Sequence, residues 1–342
     1  MTAALDIAGR TIGAGRPVFV IAEIGINHGG DPALAADMVR AAADAGADAV
    51  KLQTVDPDEA YMRGTPSHAA FQGTALDLPA LQRLGDLARE RGVVLFSTPG
   101  DFGSLELMVR AEMPAVKISS GLLTNLPLIQ RAGETGLPMI LSTGMARLDE
   151  VDAAVATARA AGNRQLAILQ CTSLYPAPSD ALNLAAIATL AARFAVPVGY
   201  SDHHDGALAC LTAVAAGATI LEKHFTLDRA AGGADHAISL EPDGFRRLVD
   251  SVRAVERMMG TAEKRPAAAE EPLRAARHRY LVTRRPVAAG ETLSDDNIAL
   301  KRTPAGVGVL PAERYDHCVG KVAACAIGDD VALAPEMVAG LE

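Results

Sequence analysis

From residue 18 to about residue 258 the chain alternates eight times between a short β-branched run and an Ala-rich stretch of helical periodicity. The strand candidates are VFVIAEI (18–24), DAVKLQT (48–54), VVLFSTP (93–99), AVKISS (115–120), MILSTG (139–144), LAILQCT (166–172), VPVGYSD (196–202) and ATILEKH (218–224). The stretches between them carry helix punctuation. In DPALAADMVRAAADAG (31–46), Asp31 stands at the N-cap, Pro32 at the first position and Gly46 at the stop. RLDEVDAAVATARAAG (147–162) is a second such stretch. Eight strands, each followed by a helix, is the count of a closed barrel. The competing arrangement, an open doubly wound sheet, would show a GxGxxG fingerprint after its first strand, and none is present there. The expected fold class is α/β, a (β/α)8 TIM barrel over residues 1–260.

Composition supports this and narrows the function. Hydrophobic residues make up 49% of the 342, aromatics only 4%, and Trp is absent, which suits helices packed on a parallel sheet better than a β-sandwich. The formal net charge of -9 offers no global attraction to nucleic acid or to an anionic membrane, so any anionic substrate must be met by local lysines. Cys171, Cys210, Cys318 and Cys325 show no metal-like spacing, and their scarcity points to a reducing, cytoplasmic setting. MTAALDIAGR meets acid and Arg before any apolar core, so no secretory signal is expected. The most apolar run, ALACLTAVAAGATIL (207–221), is shorter than the ~20 residues a membrane span needs.

Each strand begins apolar and ends in groups able to ionise or hydrogen bond. Strand one ends in Glu23, strand two in Lys51 and Gln53, strand three in Ser97 and Thr98, and strand four in Lys117, Ser119 and Ser120. Strand five supplies Ser142 and Thr143, strand six Gln170 and Thr172, strand seven Ser201, Asp202 and His203, and strand eight Glu222 and His224. Active sites of such barrels are built at this end of the strands. A single strand-end lysine is commonly a snorkelling or ion-paired residue. Two lysines, two carboxylates and two histidines on one rim carry a desolvation cost that stability alone does not explain.

Residues two apart on a strand face the same side, so Ser201 and His203 share a face, as do Glu222 and His224. On neighbouring strands the two imidazoles converge and could hold a divalent ion with open positions, able to polarise a carbonyl. The plainer alternative is that His203 and His204 are loop residues and His224 a satisfied core histidine. Lys51 and Lys117, with the hydroxyls of Thr98, Ser120, Ser142 and Ser201, form a cradle for a small polyanion. Glu23 and Glu222 are candidates for proton transfer. Together these suggest carbon–carbon bond formation from an enol phosphate. The same residues would also suit a Schiff-base aldolase with Lys51 or Lys117 as nucleophile.

After residue 260 the pattern changes. GTAEKRPAAAEEP (260–272) is charged and rich in Ala and Pro, and residues 261–278 read as a linker. Short strands and turns follow in RYLVTRRPVAAGETLSDDNIALKRTPAGVGVLP (279–311), so residues 279–342 form a small, mostly β domain with little core of its own.

IAEIGINHGG (21–30), VKLQT (50–54), FSTP (96–99), KISSG (117–121), LSTGM (141–145), CTSLYPAP (171–178), YSDH (200–203), LEKHFTLD (221–228) and DHAISLEP (235–242) resemble the sialic acid synthase family, in order and from about residue 15 onward. PVAAGETLSDDNI and LKRTP resemble its antifreeze-like (SAF) domain. The resemblance implies condensation of phosphoenolpyruvate with an N-acylated amino sugar aldehyde, giving a nonulosonic acid of the sialic, legionaminic or pseudaminic type plus phosphate, with Mn2+ or Mg2+ required. It implies that Glu23 is an acid/base and that Lys51, Thr98 and Lys117 contact phosphoenolpyruvate, helped by Ser120, Ser142 and Ser201. His203 and His224 would ligate the metal, with His204 a bystander. Asp235, Tyr175 and, from the SAF domain, Arg302 would contact the sugar. The resemblance further implies a domain-swapped homodimer in which the SAF domain caps the partner's barrel.

Three departures fall on the acceptor side. Leu122 stands where the family has Glu, Thr74 where some members have Asn, and Gly100 where Phe is common. A synthase with an atypical aldose acceptor is therefore one reading. A Schiff-base aldolase, a phosphoenolpyruvate aldolase of the sugar-acid phosphate type acting on a phosphorylated acceptor, and a non-catalytic carbohydrate-binding homologue, the last suggested by Leu122, are the others.

Overall fold

The computed structural model describes residues 4–232, 234–304 and 308–341. Eight parallel strands close into a barrel: β1 (Phe19–Gly25), β2 (Ala49–Thr54), β3 (Val94–Pro99), β4 (Val116–Ile118), β5 (Met139–Ser142), β6 (Leu166–Cys171), β7 (Val198–Asp202) and β8 (Ile220–His224), with β8 pairing back to β1. The eight expected strands are the eight observed; β1 is shifted by one residue and the others are shortened at one or both ends. The largest loss is in β4, where residues 120–122 leave the sheet as a 3-10 turn. The helix after β1 runs Pro32–Asp44, and the Asp31 carboxylate accepts from the Ala33 amide at 2.8 Å. Gly46 ends it at φ +89°, a conformation that strains any side chain bearing a Cβ.

Period-two alternation divides the strands into two cores. Outward residues such as Val20, Ala22, Val50, Leu52, Val116 and Ile118 pack against the helices. Inward residues Phe19, Ile21, Ala49, Val94, Phe96, Ala115, Ile140, Ala167, Leu169 and Ile220 fill the lower barrel together with Leu5, Ile7 and Ile12. These last three come from a hairpin of Leu5–Ile7 and Arg10–Ile12 that plugs the end where the strands begin. Apart from β6, whose inward set ends in Cys171, the inward side chains turn from apolar to polar along the strands, and the cavity opens at the end where the strands finish.

The chain divides into compact units at Met1–Gly260 and Thr261–Glu342. Residues 261–278, expected as linker, contain a 3-10 turn at Ala268–Glu270 and a helix at Glu271–Arg277. The second unit pairs β9 (Tyr280–Thr283) antiparallel with β10 (Ile298–Lys301). It has more core than its length suggested, because Leu281, Val287, Leu293, Ile298, Leu310, Cys318, Ala323, Ile327, Leu333 and Val338 are all buried together. Residues 305–307 and 342 of this expected domain lie outside the described residues. Among the described residues no helix is long and apolar enough to cross a membrane.

Candidate active site

The open end of the barrel holds a cavity of about 690 Å³, a size suited to a small-molecule site. Its floor is a chain of buried charges. Lys51 on β2 meets Glu23 on β1 at 2.5 Å, donates to Thr98 Oγ1 on β3 at 3.0 Å, and lies 3.8 Å from Glu222 on β8. Lys117 on β4 donates to Ser142 Oγ on β5 at 2.6 Å and to the Ile118 carbonyl at 3.1 Å, and lies 3.7 Å from Glu222. The Ser201 hydroxyl on β7 donates to Glu222 at 2.8 Å, and Gln53 Nε2 donates to Glu23 at 3.2 Å. The registers Glu23↔Lys51 and Ser201↔Glu222 set these neighbours side by side across adjacent strands.

The two carboxylates respond oppositely to burial. Burial raises Glu23, with the Glu222 charge adding to it and Lys51 opposing, and its carboxyl is pushed up to about 7. Burial also works to raise Glu222, but Lys117, Lys51 and the Ser201 hydroxyl outweigh it and hold Glu222 at about 2. Lys51 remains above the ordinary lysine value, because the Glu222 and Glu23 charges together outweigh its burial. Lys117 falls below that value, since burial and the nearby Lys51 charge outweigh Glu222. One acid able to exchange a proton near neutral pH therefore stands beside one that stays ionised.

Above this floor the His203 and His224 rings lie 5.3 Å apart, centroid to centroid, and the Tyr175 ring lies 4.3 Å from His203. His203 Nδ1 is 3.0 Å from the Thr172 carbonyl, which can only accept, so in the neutral ring the proton sits on Nδ1 and Nε2 carries the lone pair. His224 Nδ1 is buried without a hydrogen-bond partner, 4.0 Å from the Asp235 carboxylate. Two imidazoles with free lone pairs are donors suited to a divalent ion. Among the described residues no group of three His, Cys, Asp or Glu has metal-holding geometry, so protein donors beyond these two are not assembled.

Residues 38–264 match the NeuB family, and residues 278–339 match the SAF domain. The chain belongs to the NeuB family. It is 38% identical over 319 residues to the N,N'-diacetyllegionaminic acid synthase of Legionella pneumophila, covering 88% of this chain and 89% of that one. It is 31% identical to the pseudaminic acid synthase of Helicobacter pylori, with 90% and 94% covered. The crystal structure of the N-acetylneuraminic acid synthetase of Leptospira borgpetersenii superposes with a TM-score of 0.76 at 34% identity, covering 80% of this chain and 95% of that one.

In this NeuB-family barrel the cavity is lined by Glu23, Lys51, Thr74, Lys117, Ser120, Ser142, Tyr175, Ser201, His203, Glu222, His224 and Asp235. Thr98 is buried behind Lys51. Arg302 is exposed on the second unit. Gln170 donates to the Leu182 carbonyl and Thr172 to the Ala181 carbonyl, so these two strand-end polar groups anchor the loop after β6. Asp202 points outward from the barrel, where it pairs with Lys223.

Two of the three departures are corrected by packing. Leu122 sits in the 3-10 turn after β4 and packs on the helix-side core rather than on the cavity. It is not a rim residue. Gly100 also lies off the cavity, and a Cβ there would come within 2.6 Å of Val55 Cγ1, so glycine at this position answers to Val55. Thr74 does line the cavity, with its hydroxyl donated to the Phe71 carbonyl. Asn27, Tyr61, Phe71 and Met145 line the cavity as well and were not singled out from the sequence. Asn27 lies in the quoted IAEIGINHGG run, but Tyr61 directly follows a short helix at 57–60 and Phe71 ends one at 66–71, and neither sequence carries a strand-end pattern.

Proposed function

We propose that this chain condenses phosphoenolpyruvate with an N-acyl amino sugar aldehyde to give a nonulosonic acid and phosphate. The observation that carries this reading is the barrel floor, where two buried ammonium groups and the Ser201 hydroxyl converge on the ionised Glu222 carboxylate, with the Ser142 hydroxyl on Lys117, beneath a pair of imidazoles. Lys51 and Lys117 would take the phosphate and carboxylate of phosphoenolpyruvate, with Ser142 and Ser201 directing its oxygens. Glu222 would hold both lysines in place before substrate arrives. The enol carbon attacks the aldehyde carbon, water adds to the resulting cation, and the bridging oxygen leaves with phosphate as the C–O bond breaks. Glu23, poised at about 7, would take the proton from that water and return one to the new alkoxide.

His203 and His224 would hold a divalent ion, Mn2+ or Mg2+, which when bound supplies Lewis-acid polarisation of the aldehyde carbonyl. Tyr175, Asp235, Ser120 and Thr74, toward the mouth, would meet the sugar. In a domain-swapped homodimer Arg302 of the SAF domain would reach the acceptor bound in the partner's barrel, excluding water from it. Four unpaired thiols suit a cytoplasmic setting. Relatives named for legionaminic, pseudaminic and neuraminic products support the nonulosonic class, with the acceptor either 2,4-diacetamido-trideoxyhexose-like, N-acetylmannosamine-like or an atypical aldose.

Assaying phosphate release from phosphoenolpyruvate with Mn2+ across an acceptor panel tests this. Release only with N-acylated amino sugars is expected, and none with any of them would refute it. One observation favours a second reading. Lys117 is drawn below the ordinary lysine value, as a Schiff-base nucleophile requires. Borohydride trapping of a pyruvate adduct on Lys117 would establish that alternative.

A further inference from the structure

The proposed mechanism leaves one buried cluster of charged groups unused. Asp202 and Lys223 are cross-strand partners on the outer face of β7 and β8, both side chains fully buried, with Lys223 Nζ 2.9 Å from Asp202 Oδ2. Each stands in the strand between two cavity residues: Asp202 between Ser201 and His203, and Lys223 between Glu222 and His224. The Asp202 carboxylate is saturated. Its Oδ1 accepts from the His204 amide at 2.8 Å and from the Tyr200 hydroxyl at 3.0 Å, and its Oδ2 also accepts from the Cys210 thiol at 3.2 Å. Lys223 Nζ donates in turn to the His204 carbonyl.

The pair therefore grips both the amide and the carbonyl of His204, the residue that follows His203. The neighbouring loop completes the hold. His204 Nδ1 is 2.8 Å from the Ala177 carbonyl, and the Ala177 amide donates to the His203 carbonyl at 3.0 Å. His203 is thus fixed at its own carbonyl, at its ring nitrogen through Thr172 and at the following peptide. A buried ion pair is weak evidence for stability, since well-packed apolar residues commonly do as well. No apolar pair could hold a peptide amide and carbonyl at once.

We infer that Asp202 and Lys223 are positioning residues: a clamp behind the barrel wall that sets the separation and orientation of His203 and His224, with His204 as the gripped turn. This rests on the reading that those two imidazoles hold a divalent ion. Partners that orient ligating residues from behind commonly contribute about tenfold to a hundredfold in metal affinity.

The test is electron paramagnetic resonance of Mn2+ binding to the full chain, with steady-state kinetics, in wild type and in the Asp202→Asn/Lys223→Met double variant. Removing both charges together leaves no unpaired ion, and circular dichroism checks the fold. Mn2+ affinity and kcat are each expected to fall at least about tenfold, while KM for phosphoenolpyruvate, whose two proposed lysine contacts lie on β2 and β4, stays within about threefold. A folded double variant with wild-type Mn2+ affinity overturns the clamp. So does one whose phosphoenolpyruvate KM rises as far as its Mn2+ affinity falls, because that marks a general loosening. Wild type that binds no Mn2+ overturns the ion-holding reading itself, and the clamp with it. Should the double variant not fold, Asp202→Asn alone, which keeps the side-chain volume, is read by the same criteria.

Discussion

Replacing Glu23 by Gln gives the floor of the cavity a thermodynamic signature that does not depend on knowing the substrate. The Glu23 carboxyl stands at about 7 against an ordinary value of 4.5, burial being the main cause. At about 1.36 kcal/mol per pH unit, that difference amounts to about 3 kcal/mol. The folded chain holds this proton more tightly than the unfolded chain does. The contribution is therefore fully present below about pH 4.5 and is lost as pH rises through about 7. Glu222, held at about 2, titrates below this window, and Lys51, held above the ordinary lysine value, titrates beyond it. Glu23→Gln removes the titration and leaves the other groups common to both proteins. Urea unfolding followed by far-UV circular dichroism should show wild type losing about 3 kcal/mol relative to the variant between about pH 5 and pH 8.5. A wild-type-minus-variant difference that is flat with pH would refute the account of Glu23 as a buried acid poised near neutrality.

Lys51→Ala and Lys117→Ala should each raise KM for phosphoenolpyruvate by about one to two decades, from the loss of a charge-assisted contact of roughly 1.5–3 kcal/mol, and change KM for the acceptor far less. Equal effects on both substrates in steady-state kinetics would remove the lysines from the phosphate cradle. Dialysis against EDTA should abolish turnover and Mn2+ should restore it, so full activity in chelator would remove the metal from the mechanism. Mixing Glu23→Ala with Arg302→Ala should restore activity in verified heterodimers, because a swapped SAF domain leaves one site with neither defect. Co-purified heterodimers without activity would exclude Arg302 acting in the partner's site.

The barrel was legible because both of its faces write to the sequence. Helix-facing positions such as Val20 and Ala22 alternate with inward ones such as Ile21 and Glu23, and the inward set changes from apolar to polar only where the strand leaves the core. That change located Glu23, Lys51, Lys117, Glu222 and the two imidazoles. It also misled, because it cannot distinguish a polar group facing the cavity from one facing the helices. Asp202 and Lys223 carry the same strand-end signature as Ser201 and Glu222, yet they face the opposite way. Leu122 falls on the acceptor side only through the resemblance, and the chain has already turned out of the sheet before reaching it. The plug formed by Leu5, Ile7 and Ile12 left no mark in the sequence, since three-residue strands give too short a pattern to register. Tyr61 and Phe71 escaped for a different reason: they reach the cavity from the ends of short loop helices, and only the fold shows where those helices return.

The central claim is that phosphate leaves phosphoenolpyruvate with its bridging oxygen while a carbon–carbon bond forms to an aldehyde. Running the reaction in water enriched in 18O, with Mn2+ and an N-acyl amino sugar acceptor, and reading the phosphate by 31P NMR tests this most directly. The account predicts unlabelled phosphate, released one for one with acceptor consumed and absent without acceptor. Phosphate carrying 18O would show water attacking at phosphorus, and equal release without acceptor would show simple hydrolysis; either contradicts it.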